Sequence, residues 1–296
     1  MRARVINLAC VIAGGAIAKR DRFNQTHVRS LTMKKLTASA ALVLALSAGL
    51  TERTDAAALS LDGVDDWVEI TNAAGVIPSG NAPFTTSAWV NPDVHSNSTI
   101  TFWGNQAGNQ ANGFRLRDGG RTRHYFWGND HDTTGTGDIS ANTSGPNGDG
   151  WHQLAIVWDG SQTQWYWNGA PLESPRAGAG INVADANHRI GSRLGAEFFD
   201  GLIDDITVWG AALSAEDIAG GWNQPIDYSN PAVQAALIAH YDFENGFGDV
   251  APLGGAQDGV AIGGAIIDQS ANSPIPEPSA VLLGLLGFGV FLRRRR

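Results

Sequence analysis

The sequence predicts an all-β chain folded as a two-sheet antiparallel sandwich. Short runs rich in Val, Ile, Trp, Phe and Thr alternate apolar and polar residues, the period of a half-buried strand. Gly, Asn and Asp punctuate these runs at turn spacing, with Asp159-Gly160 and Asn168-Gly169 as two-residue hairpin signals. Helix-start chemistry stands out at one place only, so the alternation of strands and helices that builds a parallel sheet is missing.

The elements follow in order. Residues 59–61 lead into Gly63, and residues 67–70 alternate as a second strand. In residues 84–90, Phe84, Thr86, Ala88 and Val90 share one face, with Thr85, Ser87 and Trp89 on the other. Residues 100–103, 113–116 and 124–127 read as further strands. The clearest unit spans residues 151–172. Its first strand sets Leu154, Ile156 and Trp158 on one face, and its return strand sets Trp165 and Trp167 opposite Tyr166. Strands at 188–192 and 201–209 precede a short helix over 211–218, which Ser214 can cap with Asp217 three positions on. Residues 238–243 and 260–267 complete the set. About ten strands at this spacing make a sandwich of one domain, residues 59–270.

Charge narrows the partners. Residues 59–278 hold 7 Arg, no Lys and 26 Asp and Glu, a net charge of −19 that the chain-wide −9 conceals. Such a domain repels phosphate, which excludes nucleic acid as a partner. Arg115, Arg117, Arg121 and Arg123 form its one basic cluster, read as a solvated strand face or as a local anion- or sugar-contacting patch. The single cysteine, Cys10, lies upstream of the domain, so stability rests on packing and not on disulfides. All ten tryptophans fall inside the domain, each a large apolar area to bury.

Both ends carry addresses. Lys34 and Lys35 precede an apolar run over residues 36–50, and small residues Ala56, Ala57 and Ala58 follow. This reads as a secretory signal peptide over residues 33–58, with the mature chain starting at Leu59; an uncleaved anchor is the other reading. Met33 is taken as the true start and residues 1–32 as an upstream extension. At the other end, a linker over 271–278 holds Pro274, Pro276 and Pro278, an apolar run covers 279–292, and four arginines close the chain. Fourteen residues fall short of the ~20 of a full membrane span. The order Pro276-Glu277-Pro278, apolar helix, then arginines including Arg293 and Arg294 resembles the PEP-CTERM sorting signal of Gram-negative bacteria, over residues 274–296. That resemblance implies a transient inner-membrane anchor, an exosortase-type processing enzyme as partner, and a destination at the cell surface or in the extracellular polysaccharide matrix; an ordinary tail anchor is the other reading.

Residues 61–68, 84–92, 151–155, 165–169 and 199–218 resemble, in that order and spacing, the LamG-like jelly-roll domain of the concanavalin A-like lectin/glucanase superfamily. The resemblance implies a jelly-roll sandwich. It also brings glycoside hydrolases into view, but the alternating acids those enzymes carry on one strand do not occur here, nor does a Gly-x-Ser-x-Gly elbow or a His-Glu-x-x-His run. No catalytic residue is assigned.

Members of this fold often hold calcium, which takes six to eight hard oxygens. The candidate ligands are Asp62 and Asp65 in the first turn and Asp204 and Asp205 on a later strand; the alternative is that such acids accept turn amides. The polar segment 128–150 contributes Asp130, and Trp103, Trp127 and Trp222 are the tryptophans expected to be exposed for stacking on sugar rings. Trp89, Trp158 and Trp209 are expected to be buried. The expected function is a non-catalytic module that binds a glycan or a surface protein, with a ligand-free structural matrix protein as the alternative and a glucanase-like enzyme behind both.

Overall fold

Alternation along each strand decides which side chains meet between the sheets. The computed structural model describes residues 56–274 apart from 136, 140–144, 146–148 and 254–256. In chain order these residues form β1 (Ala58–Asp62), β2 (Trp67–Ile70), β3 (Phe84–Pro92), β4 (Ser98–Gly104), β5 (Ala111–Arg117), β6 (Arg121–Tyr125), β7 (His131–Asp132), β8 (His152–Trp158), β9 (Gln162–Trp167), β10 (Ala170–Pro171), β11 (Arg176–Ala177), β12 (Arg189–Ile190) and β13 (Asp200–Trp209). Then come α1 (Ala215–Gly221), α2 (Pro231–Ala236), β14 (Leu237–Tyr241), β15 (Gly259–Ile262) and β16 (Ile266–Asp268).

Two antiparallel sheets result. The first runs β10-β9-β8-β3-β13-β1-β16, with β14 beside the second half of β13 and β11 beside β9; the second runs β15-β2-β12-β4-β5-β6-β7. Leu59 and Leu61, Phe84, Ala88 and Val90, and Leu154, Ile156 and Trp158 face Val68, Phe114, Leu116 and Ile190 across the gap. Each of the larger of these side chains contributes roughly 1.5–3 kcal/mol by leaving water. His124 is one of the polar residues buried inside. Its ring meets Asn112 Oδ1 at 2.6 Å and Thr163 Oγ1 at 2.8 Å, and full burial holds its pKa well below the ordinary value.

The structure moves several expected boundaries. The strand expected at 124–127 is β6, which starts earlier and stops before Trp127, whose φ of 63° takes it out of the ladder. Residues 260–267 are two strands in different sheets, because Gly263 turns the chain with a φ of 71°. The helix expected at 211–218 starts after its cap Ser214 and covers 215–221. The four arginines share one face of β5 and β6, and that face is only partly solvated. Arg115 is buried against Glu197 at 2.6 Å, with the Tyr125 ring 4.8 Å below its guanidinium, and Arg123 pairs with Asp130 and Asp132. A guanidinium leaves water only when paired in this way.

The two ends of the described chain meet. The Ser273 amide donates to the Ala56 carbonyl at 3.3 Å, the Ala57 amide donates to Glu244 Oε1 at 2.8 Å, and Ala58 pairs with Asp268. No helix among the described residues is long and apolar enough to cross a membrane; the tail at 279–292 lies outside them.

A candidate ligand cleft under an arch

A sandwich sheet has an outer face, and here part of it is roofed. Between β13 and β14 the chain leaves the sheet as an arch over residues 210–236 that carries α1 and α2. Thr85 of β3 pins its start, donating to the Ala211 carbonyl and accepting the Leu213 amide at 2.9 and 3.0 Å. Ser214 and Asp217 then close a reciprocal capping box that starts α1. Ile218, the buried residue of α1, packs on Ala155, Val157 and Tyr166 of the outer face. Asn230 caps α2, whose first residue is proline, a residue that suits a helix start.

Beneath the arch lies a cleft of about 430 Å³. Its floor comes from three adjacent strands: Trp89 and Ser87 of β3, Gln153 of β8, and Asp205, Thr207 and Trp209 of β13. Register explains the grouping, since Trp89 stands opposite Gln153 on one side and Ser87 stands opposite Thr207 on the other. A register shift between Asp204 and Thr207, with Asp205 at a φ of 45°, adds a residue to β13 and lets Asp205 join the floor. Ser87 Oγ and Thr207 Oγ1 lie 2.7 Å apart, and Trp209 Nε1 donates to Thr207 Oγ1 at 3.0 Å. Asp205 Oδ1 meets His240 Nε2 at 2.9 Å, and the other ring nitrogen of His240 is hydrogen-bonded to the Tyr228 hydroxyl. Gln153 differs from these. It is 4 % exposed, and its Oε1 is buried with no hydrogen-bond partner. Such an oxygen costs roughly 1–3 kcal/mol until a donor reaches it.

Trp222 closes one end. Its ring lies 5.6 Å from that of Trp89, tilted by 31°. The seat depends on a glycine: a Cβ on Gly169 would stand 2.5 Å from Trp222 Nε1, and Gly169 has a φ of +78°. The same turn reaches the floor, since Asn168 Oδ1 accepts the Gln153 amide at 2.8 Å.

The residues singled out from sequence are dispersed. Trp222 is in the cleft. Trp103 is 3 % exposed in the core, its Nε1 donating to the Pro78 carbonyl at 2.9 Å. Trp127 and Asp130 lie in the turn between β6 and β7, at the edge of the second sheet. Trp127 lies 5.2 Å below the Arg193 guanidinium, and Asp130 accepts the Phe126 amide at 2.9 Å and pairs with Arg123 at 3.0 Å. Trp89 and Trp158 are buried, but Trp209 is half-buried at the cleft. Ser87, Gln153 and Thr207 went unnoticed in the sequence.

The four candidate metal ligands do not converge. Carboxylate oxygens of Asp62, Asp65 and Asp66 lie within 4.8 Å of one another, a set that includes neither Asp204 nor Asp205. These are the hard donors calcium takes. Part of their capacity goes to amides: Asp62 Oδ1 accepts from Val64 at 2.9 Å, Asp66 Oδ2 accepts from Asp62 at 3.1 Å, and Asp66 Oδ1 accepts from Gly264. Asp205 serves the cleft instead. Asp204 is buried, and burial beside Asp205 and Glu244 raises its pKa well above the usual carboxylate range. Pro276, Glu277, Pro278, Arg293 and Arg294 lie outside the described residues.

Known proteins give this architecture a family. No curated protein matches the chain. A solved structure described as a candidate carbohydrate-binding protein from Bacteroides ovatus matches with a TM-score of 0.55 at 17 % identity, over 75 % of this chain and 62 % of that one. This chain therefore spans less than two thirds of that protein's length. A heptameric SAP-like pentraxin from Limulus polyphemus matches at 16 % identity and a TM-score of 0.47, over 72 % of this chain and 95 % of that one. A CBM40 domain of a Ruminococcus gnavus sialidase, solved with α2,3-sialyllactose, matches at 13 % identity and a TM-score of 0.41, over 55 % of this chain and 96 % of that one. Residues 62–219 match the family model described as the concanavalin A-like lectin/glucanases superfamily, more than half of the sequence, and the chain belongs to that superfamily.

Proposed function

We propose that this protein is an exported, non-catalytic module that binds a glycan in the cleft beneath the arch. The cleft's composition carries the reading: the indoles of Trp209 and Trp222, the latter packed on the buried Trp89, line it together with polar groups that include the unpartnered Gln153 Oε1. Sugar rings offer apolar faces for indoles and hydroxyl donors for a waiting oxygen. A volume of about 430 Å³ fits one or two sugar rings. The Bacteroides ovatus protein's description points the same way. A glycan array probed with the wild type and with Trp222→Ala tests the proposal. Wild-type binding to a defined glycan, weakened about tenfold in the variant, supports it. Binding that the variant leaves unchanged would move the site elsewhere, and silence across the array would favour the structural matrix reading. Release of reducing ends from a bound polysaccharide would revive the glucanase.

Display follows from the two addresses. Export through the signal peptide, transient inner-membrane anchoring by the tail, and exosortase processing at Pro276-Glu277-Pro278 would place the module at the cell surface or in the matrix, without Arg293 to Arg296. Intact-mass measurement of surface material checks this, and a mass that retains the arginines counts against it. At the other end, a cut after Ala58 would remove the partners of Glu244 and Asp268, so N-terminal sequencing is expected to find Ala57 still present. Calcium is proposed for Asp62, Asp65 and Asp66 alone. Calcium added to chelator-treated protein is expected to raise Tm, and Asp65→Asn to abolish that rise.

A further inference from the structure

The charge of the cleft says more than its shape, and the following rests on the glycan reading above. Asp205 stands on the floor with its side chain 11 % exposed, and Asp217 and Asp227 line the rim. Among the described residues, none of those lining the cleft is Lys, Arg or His. The domain has no lysine to reach in. Six of its seven arginines, at 115, 117, 121, 123, 189 and 193, belong to the second sheet and the loop after β12, and the seventh, Arg176, sits on β11. A ligand entering the cleft therefore meets carboxylates at its floor and mouth, with indoles between them that lower the local dielectric and lengthen the reach of each charge.

We propose that the cleft selects an amino sugar bearing a free ammonium group over the corresponding neutral sugar, and rejects uronic and sialic acids. The ammonium supplies three donors to a site rich in acceptors: the Asp205 carboxylate, Gln153 Oε1, and the Ser87 and Thr207 hydroxyls. Asp205 keeps a second carboxylate oxygen beyond the one that meets His240. A sugar carboxylate in the ammonium's place would instead add a second negative charge beside Asp205, whose only ionisable basic neighbour among the described residues, His240, is already held by Asp205 Oδ1, and the carboxylate itself would offer Gln153 Oε1 no donor.

Calorimetric titration of the wild-type protein with three probes tests this: a glucosamine trisaccharide, its N-acetylated counterpart and a galacturonate trisaccharide. At about pH 6, where the amine is charged, the glucosamine form is expected to bind about five- to tenfold tighter than the acetylated one. The uronate is expected not to bind, and the preference to fade at about pH 9 and in high salt. Asp205→Asn keeps the shape and an acceptor for His240, and is expected to erase most of the preference. Glu69→Gln removes the same charge from the other sheet and is expected to preserve it, which separates the local carboxylate from the net charge of the domain. Equal affinity for the charged and acetylated probes overturns the inference while the glycan reading stands. Tightest binding of the uronate also overturns it, and failure of every probe, on top of a silent glycan array, removes both.

Discussion

Gly169 shows how much of the site rests on one missing methyl group. It closes a two-residue hairpin turn with Asn168 at a φ of 46° and itself at +78°, and Trp222 lies where a Cβ would be. Gly169→Ala therefore adds both backbone strain and overlap with the indole, and is expected to cost about 1–3 kcal/mol and to weaken ligand binding, read by denaturant melts and titration. Gly220 makes the contrast. It lies in α1, and a Cβ there would meet nothing within 4 Å, so Gly220→Ala is expected to stabilise by about 0.4–1 kcal/mol. The Asn168-Gly169 turn was legible in the sequence, but its job of seating Trp222 was not, because the two are far apart along the chain. Trp89 is instructive for another reason. Alternation put it opposite Phe84, Ala88 and Val90, hence on the outer face, and a tryptophan buried there needs a roof. That conflict between face and expected burial was the readable trace of the arch.

The arch is the element on which the site depends: Thr85 ties its start to the sheet, Ile218 and Trp222 pack on the outer face, Tyr228 is hydrogen-bonded to His240, and Ser214, through its capping box, and Asn230 cap its two helices. Ser214→Ala removes the side-chain half of the box and is expected to cost about 1 kcal/mol in a thermal melt. Thr85→Val keeps the volume but leaves the half-buried Leu213 amide without its acceptor, for about 1 kcal/mol, with the same melt as readout. Both are expected to weaken ligand binding beyond their effect on the core. Long strands such as β3, β8 and β13 were legible because each runs over many residues rich in apolar and β-branched side chains. The two-residue strands β7, β10 and β11 are too short for a period, and tertiary pairing alone defines them, whereas β12 keeps residues 189–190 of the strand expected at 188–192. The helix α2 was missed because Pro231 reads as a breaker until Asn230 is seen to cap the turn that follows.

Across the whole molecule, two groups of titrating side chains pull stability in opposite directions. Burial lowers the pKa of His124, His131, His152 and His188. The unfolded chain then binds more protons than the fold as pH falls below about 6.5, so these residues withdraw stability in acid. Burial raises the pKa of Asp204, Asp242, Glu244 and Asp249. Here the fold holds the extra protons, so the stability these groups give is full below about pH 4 and drains as pH climbs through their raised values. Melting temperature against pH is expected to pass through a maximum on the mildly acidic side of neutrality. His124→Gln is expected to flatten the acid limb and Asp204→Asn the alkaline one; a curve unchanged by either would refute the assignment.

One consequence follows from the place where Ser273 meets Ala56. A domain whose entry and exit touch behaves as a cassette. Its chain can be joined across that point by a few glycines and reopened at a surface turn such as Asp159-Gly160, and the permuted protein is expected to fold with the cleft intact. The same adjacency makes the domain easy to splice into a host loop without prying the host apart.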